Sequence, residues 1–510
     1  MTQITRRTLL LGAAASAALA ACSSGGGGGD GERAAEPEDR TTTTPPVPPL
    51  PGPPFGLGVA SGDPDATSVV LWTRLLAAPP EDVPVVWEVA TDEAFEEIVA
   101  SGLETALPAQ AHSVHAVAGD LEAGTWFWYR FRAGDHVSPV GRTRTMPEGD
   151  ADAFRFAFAS CQDKRDNEWA AHARLAEENL DLVVWLGDYI YEGGHEEDGS
   201  GEAMTADEYR QRYALYKADP RLQAAHAAAP WLVVWDDHEV ENNYAGNVPQ
   251  DLADEATFVE RKERAYQVWW EHTPTRLPPP NGPDYPIHRE VAAGDLVAFF
   301  AIDGRQYRSD QTCGGGLGGD CPERGDESRT MLGEAQEAWV AEHLPASSAT
   351  WNVLANQTIF SPGALSLGDT VLYNHDQWDG YPAARRRMLD VLADTSNPIV
   401  VTGDIHASVV ADFRRDPDDP SSPVLGTELV GTSMSSSFPP ELAAVFEAAA
   451  EQGGALMADA VHRGYVVVDV AREWLRADYR IVADATRPDA AVSSSSSWVV
   501  TAGDPGVRPT

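Results

Sequence analysis

The chain has 510 residues, 43% hydrophobic and 23% charged, which allows a substantial core and more than one domain. Its formal net charge of -42 argues against DNA, RNA or anionic lipid headgroups as partners and suits the holding of divalent cations. Four cysteines are too few for a disulfide scaffold, so each is assigned separately.

Residues 1–21 read as an export address. Arg6 and Arg7 in Thr5-Arg6-Arg7-Thr8-Leu9-Leu10 form a twin-arginine pattern, and the apolar run through Leu19 is shorter than the ~20 residues of a membrane span. It closes on Leu19-Ala20-Ala21-Cys22, which resembles a bacterial lipobox, so a lipid on the Cys22 sulfur is expected. A simple Ala-x-Ala-type cleavage, with Cys22 unused, is the alternative. The expected location is outside the cell, on the outer face of the cytoplasmic membrane, with the lipid as the only membrane contact. Residues 22–54 read as a tether, flexible over Gly25 to Gly29 and extended over the Thr/Pro-rich stretch Thr41 to Pro54.

Residues 55–147 carry short apolar runs (Ser68 to Thr73, Val85 to Ala90, His112 to Val117, Thr125 to Arg132) separated by Gly, Pro and Asp turns. That spacing predicts a small all-β module, immunoglobulin-like or fibronectin-like and structural in role. Residues 153–510 alternate strands with helical segments, the pattern of an α/β layered domain.

Within that domain Leu182 to Leu186 is a continuous apolar run, the pattern of a strand buried on both faces. An unpaired carboxylate cannot sit in its middle, so Asp188 and Tyr191 fall where the strand spills into a loop. Open α/β sheets bind ligands at that edge. Phe154 to Ala159 likewise ends in Ser160-Cys161-Gln162-Asp163, followed by a helix-like stretch from Glu168 to Glu178. Trp231 to Trp235 ends in Asp236-Asp237-His238-Glu239, with Asn243 beyond, and Leu296 to Ile302 ends in Asp303, with Arg305 and Arg308 beyond. Trp351 to Leu354 ends in Asn356-Gln357, and Ile399 to Val401 in Gly403-Asp404-Ile405-His406. Gly464 to Val482 alternates like a closing β-hairpin. Any one such Asp could simply cap a helix. So many coordinating side chains on one sheet edge point instead to a metal.

Gly187-Asp188-x-x-Tyr191, Asp237-His238-Glu239 and Gly403-Asp404-Ile405-His406 resemble the binuclear metallophosphoesterase pattern. Phe-Ala-Ser-Cys-Gln at 158–162, Trp-Asp-Asp-His-Glu-Val-Glu-Asn-Asn at 235–243 and Gly-Val-Ala-Ser-Gly-Asp-Pro at 58–64 are similar to the PhoD-type alkaline phosphatase/phosphodiesterase family. The resemblance implies a two-sheet α/β/β/α sandwich behind the small all-β domain. Two departures matter. Asp237 stands where the general pattern has Asn, and Asp404 where it has the first His. Both add hard anionic oxygen, which suits Ca2+, whereas the thiolate of Cys161, the phenolate of Tyr191 and the imidazole of His406 suit Fe3+.

The resemblance implies the same partition: Cys161, Asp188, Tyr191 and His406 for iron, and Asp188, Asp237 and Asp404 for calcium. Asn243 and Asn356 are weaker candidates, since a strand-end Asn often only satisfies a turn. His238 is expected to face the phosphate as donor or acid, with Asp188 bridging both metals. Arg305 could contact phosphate or hold acidic side chains. Cys313 and Cys321 flank the glycine-rich run Gly314 to Gly319 and in an exported protein read as a local disulfide, with free thiols or a small metal site as alternatives.

The expected activity is hydrolysis of small phosphate monoesters and diesters by a secreted, lipid-anchored monomer. A phospholipase-D-like phosphodiesterase is one rival. A non-catalytic surface binding protein with a structural metal site is another.

Overall fold

The strands that end in coordinating residues are the most apolar segments of the chain, and burial on both faces requires that they lie side by side. In the computed structural model Ala153–Ala159, Leu182–Leu186 and Trp231–Val234 run parallel as neighbours inside a ten-stranded mixed sheet. Val297–Ala301, Trp351–Ala355, Pro398–Thr402 and Val424–Val430 run parallel inside a seven-stranded one. A common apolar core lies between the sheets, where the Phe299 ring meets Phe156 edge-on at 4.9 Å between centroids. The other face of the seven-stranded sheet is covered by the helices Gly333–His343 and Pro382–Ala393.

The structure describes residues 47–194, 199–250, 255–368 and 370–510, all within the compact unit Pro45–Thr510. Arg6, Arg7 and Cys22, and most of the tether, lie outside the described residues. Among the described residues no helix is long and apolar enough to cross a membrane.

The all-β segment is a sandwich whose two sheets have different fates. Val83–Ala90, Ile98–Ala106, Trp126–Ala133, His136–Val137 and Gly141–Arg144 form a sheet of their own. Val59–Gly62, Val69–Arg74 and Ser113–Ala118 instead extend the ten-stranded sheet beyond Trp231–Val234. Asp63 fastens the junction. Its amide donates to the Trp231 carbonyl at 3.0 Å, and its carboxylate accepts from Thr275 Oγ1 and the Arg276 amide, both at 2.8 Å, and from Arg289 Nη2 at 2.8 Å. The sequence boundary near residue 150 is therefore not a break in the sheet.

Two expectations change in detail. The helix after Cys161 spans only Ala170–Leu175. The hairpin Gly464–Ala471 and Trp474–Val482 continues into Val492–Thr501 and Asp504–Pro509, which complete the ten strands. The run Ser493 to Ser497 shows no apolar alternation, so it gives no strand signal of its own.

Basic side chains are buried where the N-terminal strands meet the helices Ala206–Lys217, Pro220–Ala228 and Phe258–His272. The Lys217 ammonium lies 4.2 Å over the Trp72 ring and 5.0 Å over Tyr189. His226 bonds the Tyr189 hydroxyl at 2.7 Å, His272 Nδ1 donates to the Val268 carbonyl at 2.7 Å, and His115 Nε2 to the Thr273 carbonyl at 2.9 Å. Arg74 and Arg210 are the nearby permanent cations, and the carboxylate of Glu271 is taken by Arg210 at 2.7 Å.

Burial pushes Lys217 down to about 7 and His115 to about 4, and holds His226 and His272 well below the usual imidazole range. At each group the unfolded chain binds the proton more tightly. Stability from the histidines is thus present above 6.5 and lost toward 4, while Lys217 adds stability as pH rises from about 7 toward 10.5. In melting curves taken across pH, Lys217→Met is expected to lose, relative to wild type, the gain that Lys217 supplies between about pH 7 and 10.5. An unchanged alkaline limb in the variant would show that Lys217 is solvated.

Candidate metal centre

Three of the strand ends, those leading to Cys161, Asp188 and Asp404, reach the site through a residue with left-handed backbone. Cys161, Asp188, Asn243, Asp404 and His406 have φ between 53° and 63°. Such a conformation costs about 1–3 kcal/mol at a non-glycine residue, and it gathers where surrounding structure over-determines it. The glycines in front of the two aspartates are required by space. A Cβ on Gly187 would lie 2.4 Å from the Asp236 Cβ, and one on Gly403 would lie 2.4 Å from the Ser160 hydroxyl. The sequence motif Gly-Asp is thus a close approach followed by an aimed carboxylate.

The turns are clamped by Glu239, which is fully buried. One of its oxygens accepts from the amides of Asp188 at 3.0 Å and Asp236 at 2.9 Å, the other from the Tyr189 amide at 2.7 Å. A single carboxylate therefore ties the ends of two neighbouring strands.

The side chains converge in two groups that share Asp188. Ligand atoms of Cys161, Asp188 and His406 lie within 4.8 Å of one another, as do those of Asp188, Asp236 and Asp237. The Tyr191 hydroxyl completes the first group, donating to Asp188 Oδ2 at 3.1 Å and lying 3.1 Å from His406 Nε2. Ser436 donates to the same hydroxyl at 2.8 Å. In the second group the buried atoms Asp236 Oδ2 and Asp237 Oδ1 have no hydrogen-bond partner. Asp404 stands beside this group, linked to it by Arg305 at 3.0 Å.

Protonation states show what the set lacks. Burial, then the neighbouring carboxylate of Asp188, raises the Cys161 thiol well above its usual value; burial, then Asp237, does the same for Asp188. Burial lifts Asp404 to about 6, whereas at Asp237 the Arg305 guanidinium and His238 outweigh burial and hold it near 2. Burial lowers His406 to about 4, so its imidazole is neutral, as a metal ligand must be. Arg305 is the one guanidinium set against these carboxylates, and Asp236 Oδ2 still has no partner, so the set holds more acceptor oxygen than one cation satisfies. A metal cation takes up the remainder and deprotonates a coordinating thiol. The residues present fit metal ions.

Around this set, His238 Nδ1 lies 2.6 Å from Glu192, whose other oxygen accepts from the Asn242 amide at 2.8 Å. The His238 ring packs on Tyr191 at 4.1 Å between centroids. Arg305 is held by carboxylates: Asp236, Asp237, Asp376 and Asp404 all pair with it. The backbone N–H of Asn243 donates to Asp237 Oδ2 at 2.6 Å. Asn356 lies outside the convergent set, where its side chain serves a turn, bonding Thr358, Thr402 and the Trp378 indole. Cys313 and Cys321 form a disulfide, and Cys161 is a free, buried thiol.

Sequence reasoning left Asp236, Glu192, Glu239 and Asp376 without a role. The first three sit inside the quoted motifs or one residue beyond them, so proximity was their signal. Asp376 follows no apolar run and gave none.

The sequence profile of the PhoD-like phosphatase family matches residues 156–479, and that of the PhoD-like phosphatase N-terminal domain matches residues 42–147. Alkaline phosphatase D of Bacillus subtilis (strain 168) is 42% identical over 478 residues, covering 89% of this chain and 82% of its own. A solved structure titled "Structure of PhoD" superposes with a TM-score of 0.87 at 41% identity, covering 91% of this chain and 93% of that one.

Glu239 offers a test of how the centre is built. Replacing it by Gln puts an amide N–H against the Tyr189 N–H, and leaving such a buried donor unpaired costs about 1–3 kcal/mol. The Glu239→Gln protein is expected to lose that much stability in urea denaturation with chelator present, and to retain less metal after dialysis. Full stability would mean that the strand ends hold their shape without the clamp.

Proposed function

The chain belongs to the PhoD-like phosphatase family and is a phosphoric ester hydrolase, and from that premise we propose an extracellular alkaline phosphatase that cleaves monoesters and diesters at an iron–calcium centre. The observation that carries the reading is the sharing of Asp188 between a thiol–phenol–imidazole group and an all-carboxylate group. Cys161, Asp188, Tyr191 and His406 would hold Fe3+, and Asp188, Asp237 and Asp404 would hold Ca2+. Bound there, the two ions would polarise phosphoryl oxygens and lower the pKa of a water. The α/β/β/α layering, export through Arg6 and Arg7, and a lipid at Cys22 belong to the same proposal.

His238 is the group placed to move a proton. Glu192 accepts from Nδ1 at 2.6 Å, which fixes the ring and leaves Nε2 to face a substrate. Burial alone would lower the His238 pKa, but the carboxylates of Glu192, Asp188 and Asp237 outweigh it and raise it well above the usual value. With Glu192 holding Nδ1, the ring would donate from Nε2 to the departing oxygen.

Three outcomes test this reading. Tyrosinate on Fe3+ gives a visible absorption, so the purified protein is expected to be coloured and Tyr191→Phe to be colourless yet folded. A colourless, zinc-only, fully active protein would sink the iron assignment. EGTA is expected to abolish turnover and added Ca2+ to restore it. His238→Ala is expected to keep its metals and melting temperature while turnover falls by about a hundred- to ten-thousandfold on alkyl esters. The loss on an acidic phenyl ester, whose leaving group departs unaided, is expected to be small. Equal losses on both would assign His238 to phosphate binding instead.

A further inference from the structure

Arg305 has no exposed side-chain surface, and all three nitrogens of its guanidinium meet carboxylates. Nε donates to Asp236 Oδ1, and Nη1 donates to both oxygens of Asp376 at 2.9 Å. Nη2 donates to Asp404 Oδ1 at 3.0 Å, with Asp237 Oδ1 at 3.3 Å. Asp376 is gripped from its other side by Arg308 Nη2 at 2.8 Å and Gln311 Nε2 at 2.9 Å. The fork is thus rooted on Asp376 and extends over Asp236, Asp237 and Asp404.

A side chain that merely supports a metal ligand bonds one carboxylate oxygen and leaves the other free. Asp236 has that arrangement, with Oδ2 left without a partner, but Asp404 and Asp237 do not. Asp404 gives Oδ1 to Arg305 and Oδ2 to Gln377 Nε2 at 2.6 Å. Asp237 gives Oδ2 to the Asn243 amide at 2.6 Å, and its Oδ1 faces Arg305. A cation that takes Asp237 Oδ1 or Asp404 Oδ1 must displace Nη2 or share that oxygen with it, and one held by the outer oxygens, Asp237 Oδ2 and Asp404 Oδ2, still sits one carboxylate away from the guanidinium, so the two positive charges repel in a buried setting. The guanidinium cannot escape by losing its proton.

We propose that Arg305 is a built-in counter-ion that competes with the hard divalent cation for Asp237 and Asp404, holding the metal-free protein together while weakening its grip on calcium. The inference rests on the metal reading above. Its consequence is a threshold: a site weakened in this way fills only where the free cation is plentiful. Arg305 is on this account a positioning residue with no contact to substrate.

The test uses metal-stripped full-length protein with Ca2+ alone as the probe, titrated calorimetrically, and melting in the presence of chelator. Arg305→Gln is expected to bind Ca2+ at least about tenfold more tightly than wild type, since a repelling charge has been removed. It is also expected to melt several degrees lower in chelator and to recover in saturating Ca2+. The paired variant Arg305→Gln with Asp376→Asn removes the cation together with its root, leaves the net charge unchanged, and is measured if the single variant does not fold. It is expected to show the same tightening with a smaller loss in chelator. Ca2+ uptake with unchanged or weaker affinity in the variant that folds would overturn the counter-ion role alone. No uptake by wild type or variants would overturn the metal reading with it.

Discussion

The guanidinium of Arg305, sunk among Asp236, Asp237, Asp376 and Asp404, marks the constraint under which the rest of the protein is arranged. Carboxylates gathered in a buried site repel one another and resist ionisation, so they must be fixed by something stronger than their own preference. The parallel strands do this by ending abruptly at one edge. The left-handed turns at Cys161, Asp188, Asp404 and His406 then swing the side chains inward. Glu239 locks two of the strand ends through backbone amides, and Glu192 steadies His238 from outside the convergent set. Rigid scaffolding and electrostatic discomfort are two sides of one arrangement: the second gives a metal ion its purpose, and the first prevents the group from relaxing without one.

Much of the fold could be read from the sequence because strands buried on both faces leave uninterrupted apolar runs. Phe154 to Ala159, Leu182 to Leu186, Trp231 to Trp235 and Trp351 to Leu354 all correspond to strands within a residue or two. The pairing of strands far apart in sequence is harder to read. Val59–Gly62 lies beside Trp231–Val234 through a short parallel contact at Gly62 and Trp231, and nothing local announces that partner. Half-exposed strands rich in serine, such as Val492–Thr501, are stabilised by ladders to both neighbours and need no apolar pattern.

The site divides along the same line. Cys161, Asp188, Tyr191, Asp237, His238, Asp404 and His406 were legible because each follows an apolar run and falls in a spaced motif. Asp376 was not, because it belongs to the segment between the short strand Thr370–Asn374 and the turn at Trp378, where no periodicity constrains it. Its role appears only once Arg305, 71 residues earlier, is seen to root there. Asn356 was the weaker kind of candidate, a strand-end Asn that often only satisfies a turn, and its side chain bonds Thr358 and the Trp378 indole.

The sheet that continues from the N-terminal strands into the α/β core also has a consequence in time. Asp63 is bound by Arg289, 226 residues further along the chain. A ribosome adding roughly 5–20 residues per second needs on the order of tens of seconds to deliver that partner. Through this interval the nascent strands have one sandwich sheet to lean on and an open edge where Trp231–Val234 will later dock. The edge of Val59–Gly62 thus stays open until Trp231–Val234 has been made, and an exposed strand edge in a crowded cell is a template for unwanted pairing. The length of that exposure is set by chain order and not by the strength of any contact in the finished molecule.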